Sequence, residues 1–88
     1  MKIGKVIGNV WATRKEESLR GLKLMVVQPV GADEAGERAS FVAVDCVSAG
    51  IGETVLVTLG SSARKALANP ESPVDAAIVG IIDGCDEA

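Results

Sequence analysis

Gly60-Ser61-Ser62-Ala63-Arg64-Lys65 is the segment with the most to offer a reaction. Two hydroxyls near a lysine are the raw material of a nucleophile and its base, and a Gly-Ser-Ser turn entering a helix can hold an anion through backbone N–H groups, aided by Arg64. Neither use is selected by the spacing. The segment lacks the full phosphate-loop pattern, and nothing places Asp45 or Asp75 in register with Ser61, Ser62 and Lys65. A serine capping a short helix is the simpler reading. The chain has no His, the side chain most often used as a general base. No catalytic residue, no cofactor and no enzymatic activity are therefore expected.

Metal and nucleic-acid chemistry fare no better. Asp33, Glu34 and Glu37 crowd one loop but lack the spacing of a calcium loop and read as a solvated turn. Cys46 and Cys85 have no C-x-x-C partner and no His, so a zinc site is not expected. Both are read as small buried or half-buried residues in a reducing compartment. The formal net charge is −3, the wrong sign for a free nucleic-acid or anionic-membrane binder. With Trp11 and Phe41 as its only aromatics, the chain cannot offer the two or three stacked rings of a single-strand binder. Trp11 is placed in the core or an interface. No apolar run reaches the length of a signal peptide or a membrane span, so a cytoplasmic protein without membrane contact is expected.

The elements that position these residues are short. Val and Ile outnumber Leu by 18 to 6, a bias toward pleated structure. Turn signals divide the 88 residues into five strands: Lys2–Thr13, Leu22–Val30, Ser40–Val47, Glu53–Leu59 and Ala76–Asp83. Gly4 and Gly8 in the first suggest a bend, a bulge or close backbone approach. Arg14–Ser18 is a charged connection, Gly31–Arg38 a polar hairpin loop, Ala63–Ala68 a short helix stopped by Asn69-Pro70, and Gly84–Ala88 an acidic tail. In the fourth strand Val55, Val57 and Leu59 alternate with Thr54, Leu56 and Thr58, the clearest period-2 pattern in the chain.

Five strands and one short helix predict a mainly β fold, a small closed barrel that leaves few exposed edges. It is read as a single domain, 1–88. In the second strand both alternate sets, Leu22, Leu24, Val26 and Lys23, Met25, Val27, are largely apolar, as are both sets in the fifth. One barrel interior takes only one of them. The other needs the helix, a loop or a neighbouring subunit, and Met25 and Val27 are assigned to a subunit surface on this ground. A domain of this size buries only about 60–65% of its unfolded surface, which also favours burial between subunits. Residues 1–44 carry seven basic and five acidic side chains, residues 45–88 two and seven, an asymmetry suited to head-to-tail contact.

Several segments in order resemble one family: Gly4-Lys5-Val6-Ile7-Gly8-Asn9-Val10-Trp11-Ala12-Thr13-Arg14-Lys15, Leu19-Arg20-Gly21-Leu22-Lys23-Leu24, Val42–Val57, Gly60-Ser61-Ser62-Ala63-Arg64 and Pro73–Asp83. Together they span nearly the whole chain and are similar to the EutN/CcmL family, the pentameric vertex proteins of carboxysome and other bacterial microcompartment shells. The resemblance implies a five-stranded OB-like β-barrel assembled as a cyclic homopentamer around a narrow opening. It implies a structural, non-enzymatic role closing the corners of a shell whose other tiles are hexameric proteins. By the same resemblance Gly60, Ser61, Ser62, Ala63 and Arg64 lie near the central opening, and Lys5, Trp11, Thr13, Lys15 and Leu22 serve folding and subunit contacts. The loop 31–40 carries least of the family pattern and is a place for type-specific contacts. The alternative is a small OB-like binding module for nucleic acid or another ligand.

Overall fold

The computed structural model describes residues 1–13, 15, 17–30 and 39–84. Its elements run β1 (Lys2–Asn9), a 3₁₀ turn at Glu17–Leu19, β2 (Leu24–Pro29), β3 (Phe41–Asp45), β4 (Thr54–Leu59), α1 (Ser61–Ala66) and β5 (Ala76–Ile81). The strands close into a barrel in the order β1-β2-β3-β5-β4. Every pairing is antiparallel except β3 with β5, which holds only through Val44–Ala77 and Asp45–Ile78. The loop Gly31–Arg38, with Asp33, Glu34 and Glu37, and the tail residues Cys85, Asp86 and Glu87 lie outside the described residues.

The strands are shorter than the apolar runs that encode them, and each ends for a local reason. After Asn9 the first run makes one more ladder bond, Val10 N–H to Leu24 O at 2.9 Å, and then departs at Trp11. The third stops at Asp45, whose carboxylate takes the N–H groups of Val47 and Ala49 and so turns the chain. The 3₁₀ turn, unanticipated in the charged connection, is crossed by an Arg20–Glu17 ion pair at 3.2 Å between exposed groups, a contact of little energetic weight.

Inside the barrel the core comprises Val6, Met25, Val27, Ala43, Ala49, Val55, Val57, Ala76 and Ile78, flanked by Phe41, Val47 and Ile81. Met25 and Val27 are 1% and 0% exposed. They belong to the interior of one chain, which corrects their assignment to a subunit surface. The physical reason is register: Met25 pairs with Ala43 and Val27 with Phe41 and Val6, all on the inward face, so Leu24 and Val26 are the outward set.

That outward set is covered in part by the chain itself. Val44, Ala63, Val74 and Ala77 form a second buried cluster, with Leu19, Leu22, Leu24, Leu67 and Val79 packed against it. The helix and the turn before β2 thus roof the outer side of β2, β3 and β5. The helix begins two residues earlier than the apolar pattern indicates, and neither serine caps it: Gly60 is the N-cap at φ 64°, with no side-chain hydrogen bond. Glycine enters that left-handed conformation without the Cβ penalty a serine would carry.

Gly4 answers the expectation of close backbone approach. It is buried on the inward face of β1, and a Cβ there would collide with Val27 Cγ1 and come within 3.1 Å of Gln28 O. Gly4→Ala should therefore destabilise the barrel by about 2 kcal/mol, the usual cost of overpacking a tight core, read as a lowered urea midpoint with an unchanged slope. Gly8 has open space around it and follows the β1–β2 register shift between Val6 and Gly8, so Gly8→Ala is the mild control.

Candidate functional site

Among the described residues, nothing resembling a catalytic centre assembles. Ser61, Ser62 and Lys65 are all exposed. Among the described residues, no group of three or more His, Cys, Asp or Glu side chains could hold a metal ion. Two of the donors proposed for an anion are engaged within the fold: Gly60 N–H donates to Asp75 O at 2.9 Å and Arg64 Nη1 to Val74 O at 3.1 Å. Arg64 ties α1 to the segment entering β5, and Ala63 is fully buried beneath it. Of the five residues expected near a central opening, Gly60, Ser61 and Ser62 are exposed, Arg64 is half-buried and Ala63 is buried.

One apolar surface feature lies where β1 ends and β2 begins. Val10, Trp11, Ala12, Leu22 and Leu24 line a groove of about 380 Å³, with Asn9, Gly21, Lys15 and Lys23 completing it. Trp11 is 91% exposed, so the core half of its expected placement is wrong for the isolated chain. Lys15 Nζ donates to Ala12 O at 2.9 Å, fixing the turn that carries the indole. Thus Trp11, Lys15 and Leu22, grouped by sequence resemblance, are brought together. Thr13 is exposed beyond the described groove, and Lys5 is exposed on β1.

Beside the groove lies a clamp that the sequence reading missed. The Asp45 carboxylate, 1% exposed, accepts from Val47 N–H at 2.9 Å and Ala49 N–H at 2.7 Å, and lies 3.5 Å from Lys23 Nζ. Lys23 Nζ also donates to Ala49 O at 2.9 Å. The signal was available: an aspartate whose side chain turns the backbone two residues on is an ordinary turn device. Next to it, Gly50 N–H donates to Glu53 Oε1 at 2.6 Å and Gly52 N–H to Val6 O at 2.8 Å. This rigid turn presents Ile51 at 62% exposure. Cys46 is exposed rather than half-buried because the Asp45 turn carries it outward. Partial burial, and secondarily the Asp45 charge, push its thiol pKa up, so it is a poor thiolate.

At the opposite end of the barrel Lys2 Nζ sits 5.4 Å from the Phe41 ring centroid, beside a broad basin shared by Val42, Leu59 and Asp75. The described surface thus carries exposed apolar side chains on a hydrogen-bonded frame. Comparison with known proteins agrees. The family model described as "Ethanolamine utilisation protein EutN/carboxysome" matches residues 1–83. The chain belongs to the EutN/CcmL family. The shell vertex protein GrpN of Rhodospirillum rubrum is 48% identical to it over 83 residues, covering 94% of this chain and 93% of that one. The carboxysome shell vertex protein CcmL of Nostoc sp. is 48% identical over 86 residues, covering 94% and 83%. Among solved structures, a pentameric microcompartment shell protein, GrpN from R. rubrum, superposes with a TM-score of 0.82 at 46% identity over 99% of this chain and all of that one. The Nostoc CcmL structure superposes at 0.84 with 49% identity, covering 97% and 92%. The closed five-stranded barrel with its short helix is the fold of this EutN/CcmL chain, and its named relatives are structural shell proteins, not enzymes.

Proposed function

We propose that this chain is a shell vertex protein of a bacterial microcompartment, a structural component that assembles as a ring of five and occupies the corners of the shell. The observation that carries the reading is full-length similarity, at 46% identity, to a shell protein whose structure is pentameric. The surface agrees in kind: exposed apolar side chains at Ile7, Trp11, Val42 and Ile51 beside engaged polar groups suit assembly better than turnover. The whole chain acts as one barrel domain in the bacterial cytoplasm. Gly60, Ser61 and Ser62 lie near the ring's central opening, Lys5, Thr13, Lys15 and Leu22 contribute to contacts between copies, and hexameric shell tiles are the outer neighbours.

A nucleic-acid module on the same barrel is not favoured. The sequence pI is about 4.8, and one of its two rings already carries Lys2. Native mass spectrometry at physiological salt tests the reading. The expected dominant species has five times the 9.0 kDa chain mass. A stable monomer at micromolar concentration overturns it.

A further inference from the structure

We propose that Asp83-Gly84 is a self-modifying site: the Gly84 backbone nitrogen closes on the Asp83 side chain, and the cyclic imide reopens to leave an isoaspartyl link. The site needs no partner chain and stands whether or not the ring forms.

The chemistry is a condensation followed by a hydrolysis. The Gly84 nitrogen attacks Asp83 Cγ, a C–N bond forms, and a carboxyl oxygen leaves as water, carrying the proton that the nitrogen gives up. Water then adds to either carbonyl of the five-membered imide. Opening at the main-chain carbonyl routes the backbone through Cβ and Cγ, which lengthens it by one methylene and leaves the α-carboxylate as the branch.

Ring closure is intramolecular, so its rate follows how often the nitrogen and the carboxyl meet in the reactive geometry. A following glycine helps most, because it puts no Cβ beside the nitrogen and leaves the backbone free to turn. Asp83 is the only Asp or Asn followed by Gly in the chain. Both residues are exposed, and a Cβ added at Gly84 would meet nothing within 4 Å. The ladder has ended by then. β5 stops at Ile81, and the last backbone hydrogen bond among the described residues is Ile82 N–H to Thr54 O at 2.8 Å.

Elsewhere the fold disarms the same reaction. The Asp45 carboxylate is 1% exposed and accepts from Val47 and Ala49 N–H, while the nitrogen that follows it, Cys46 N–H, donates to Ile78 O at 3.1 Å. Asp75 is followed by Ala76, which is 4% exposed and paired with Leu59 in the sheet. Asn9 precedes Val10, whose N–H donates to Leu24 O at 2.9 Å. Asn69 precedes Pro70, which has no N–H to lose. Among the described residues, Asp83 alone combines an exposed carboxyl with an unhindered nitrogen beyond the last rung.

The test ages the wild-type protein for several weeks at neutral pH in water enriched in heavy oxygen, then digests it in ordinary water. The peptide holding Asp83 should take up the label at least several-fold faster than those holding Asp45 or Asp75. It should also split into two chromatographic forms of one sequence, the new one accepting methyl groups from S-adenosylmethionine through an isoaspartyl methyltransferase. Asp83→Glu should abolish both signals and Gly84→Ala should slow them several-fold, with the far-UV dichroism of the barrel unchanged. An unlabelled Asp83 peptide, or label shared evenly among Asp45, Asp75 and Asp83, overturns the proposal. Neither outcome bears on the ring, whose mass is read separately.

Discussion

Val27→Lys should yield no folded protein. The side chain is 0% exposed at the centre of the barrel, against Val6 across one ladder and Phe41 across the other. No carboxylate belongs to the core cluster around it. A lysine there must lose its charge or drag water inward, and either route costs about 5 kcal/mol or more. That equals the whole stability of many small domains. Far-UV dichroism and amide dispersion should both be lost, with no intermediate in which a folded monomer survives. Val42→Lys, outward-facing and 46% exposed on the neighbouring strand, should fold normally. A folded, monomeric Val27→Lys protein would return this position to the subunit surface.

Asp45→Ala is the second large effect. Removing the carboxylate takes the acceptor from Val47 N–H and Ala49 N–H and leaves Lys23 beside a vacated site. Two lost hydrogen bonds to a charged acceptor, one of them at 2.7 Å, give a cost of about 3 kcal/mol. The Lys23 pairing adds little, because that ammonium is half-exposed. Asp45→Asn keeps an acceptor oxygen and should lose about half as much. Thermal denaturation of the two variants beside the wild type decides it. Equal losses would mean that the charge, not the acceptor geometry, holds the turn.

Parts of this architecture are plain in the residues. β4 is legible because Val55 and Val57 alternate with Thr54 and Leu56, and the structure buries the valines. β2 is not legible in the same way, since both of its alternate sets are apolar and periodicity cannot choose an inside. Lys23 misleads further: it shares parity with Met25 and Val27 yet precedes the strand, so its charge says nothing about the direction they face. The helix start is not legible, because serine is a good cap in general, whereas here a glycine at φ 64° takes that position. The surface set of Trp11, Lys15 and Leu22 came from resemblance rather than from pattern. A single Trp gives no periodicity from which to judge in from out. The Asp45 clamp needed only attention to the backbone two and four residues downstream.

The pairing scheme also divides the chain into two pieces with different histories. β1, β2 and β3 form a meander of successive neighbours, while β4 and β5 pair across α1. Each piece can be built from contacts near in sequence. The barrel exists only when they dock along two seams, β1 with β4 and β3 with β5, whose partners are far apart along the chain. The loop-closure entropy of both seams is lost before either is rewarded. Of the two, β3–β5 has two residue pairs against four in β1–β4. It is the seam held by the fewest ladder pairs, and the place where the closed barrel is expected to open first.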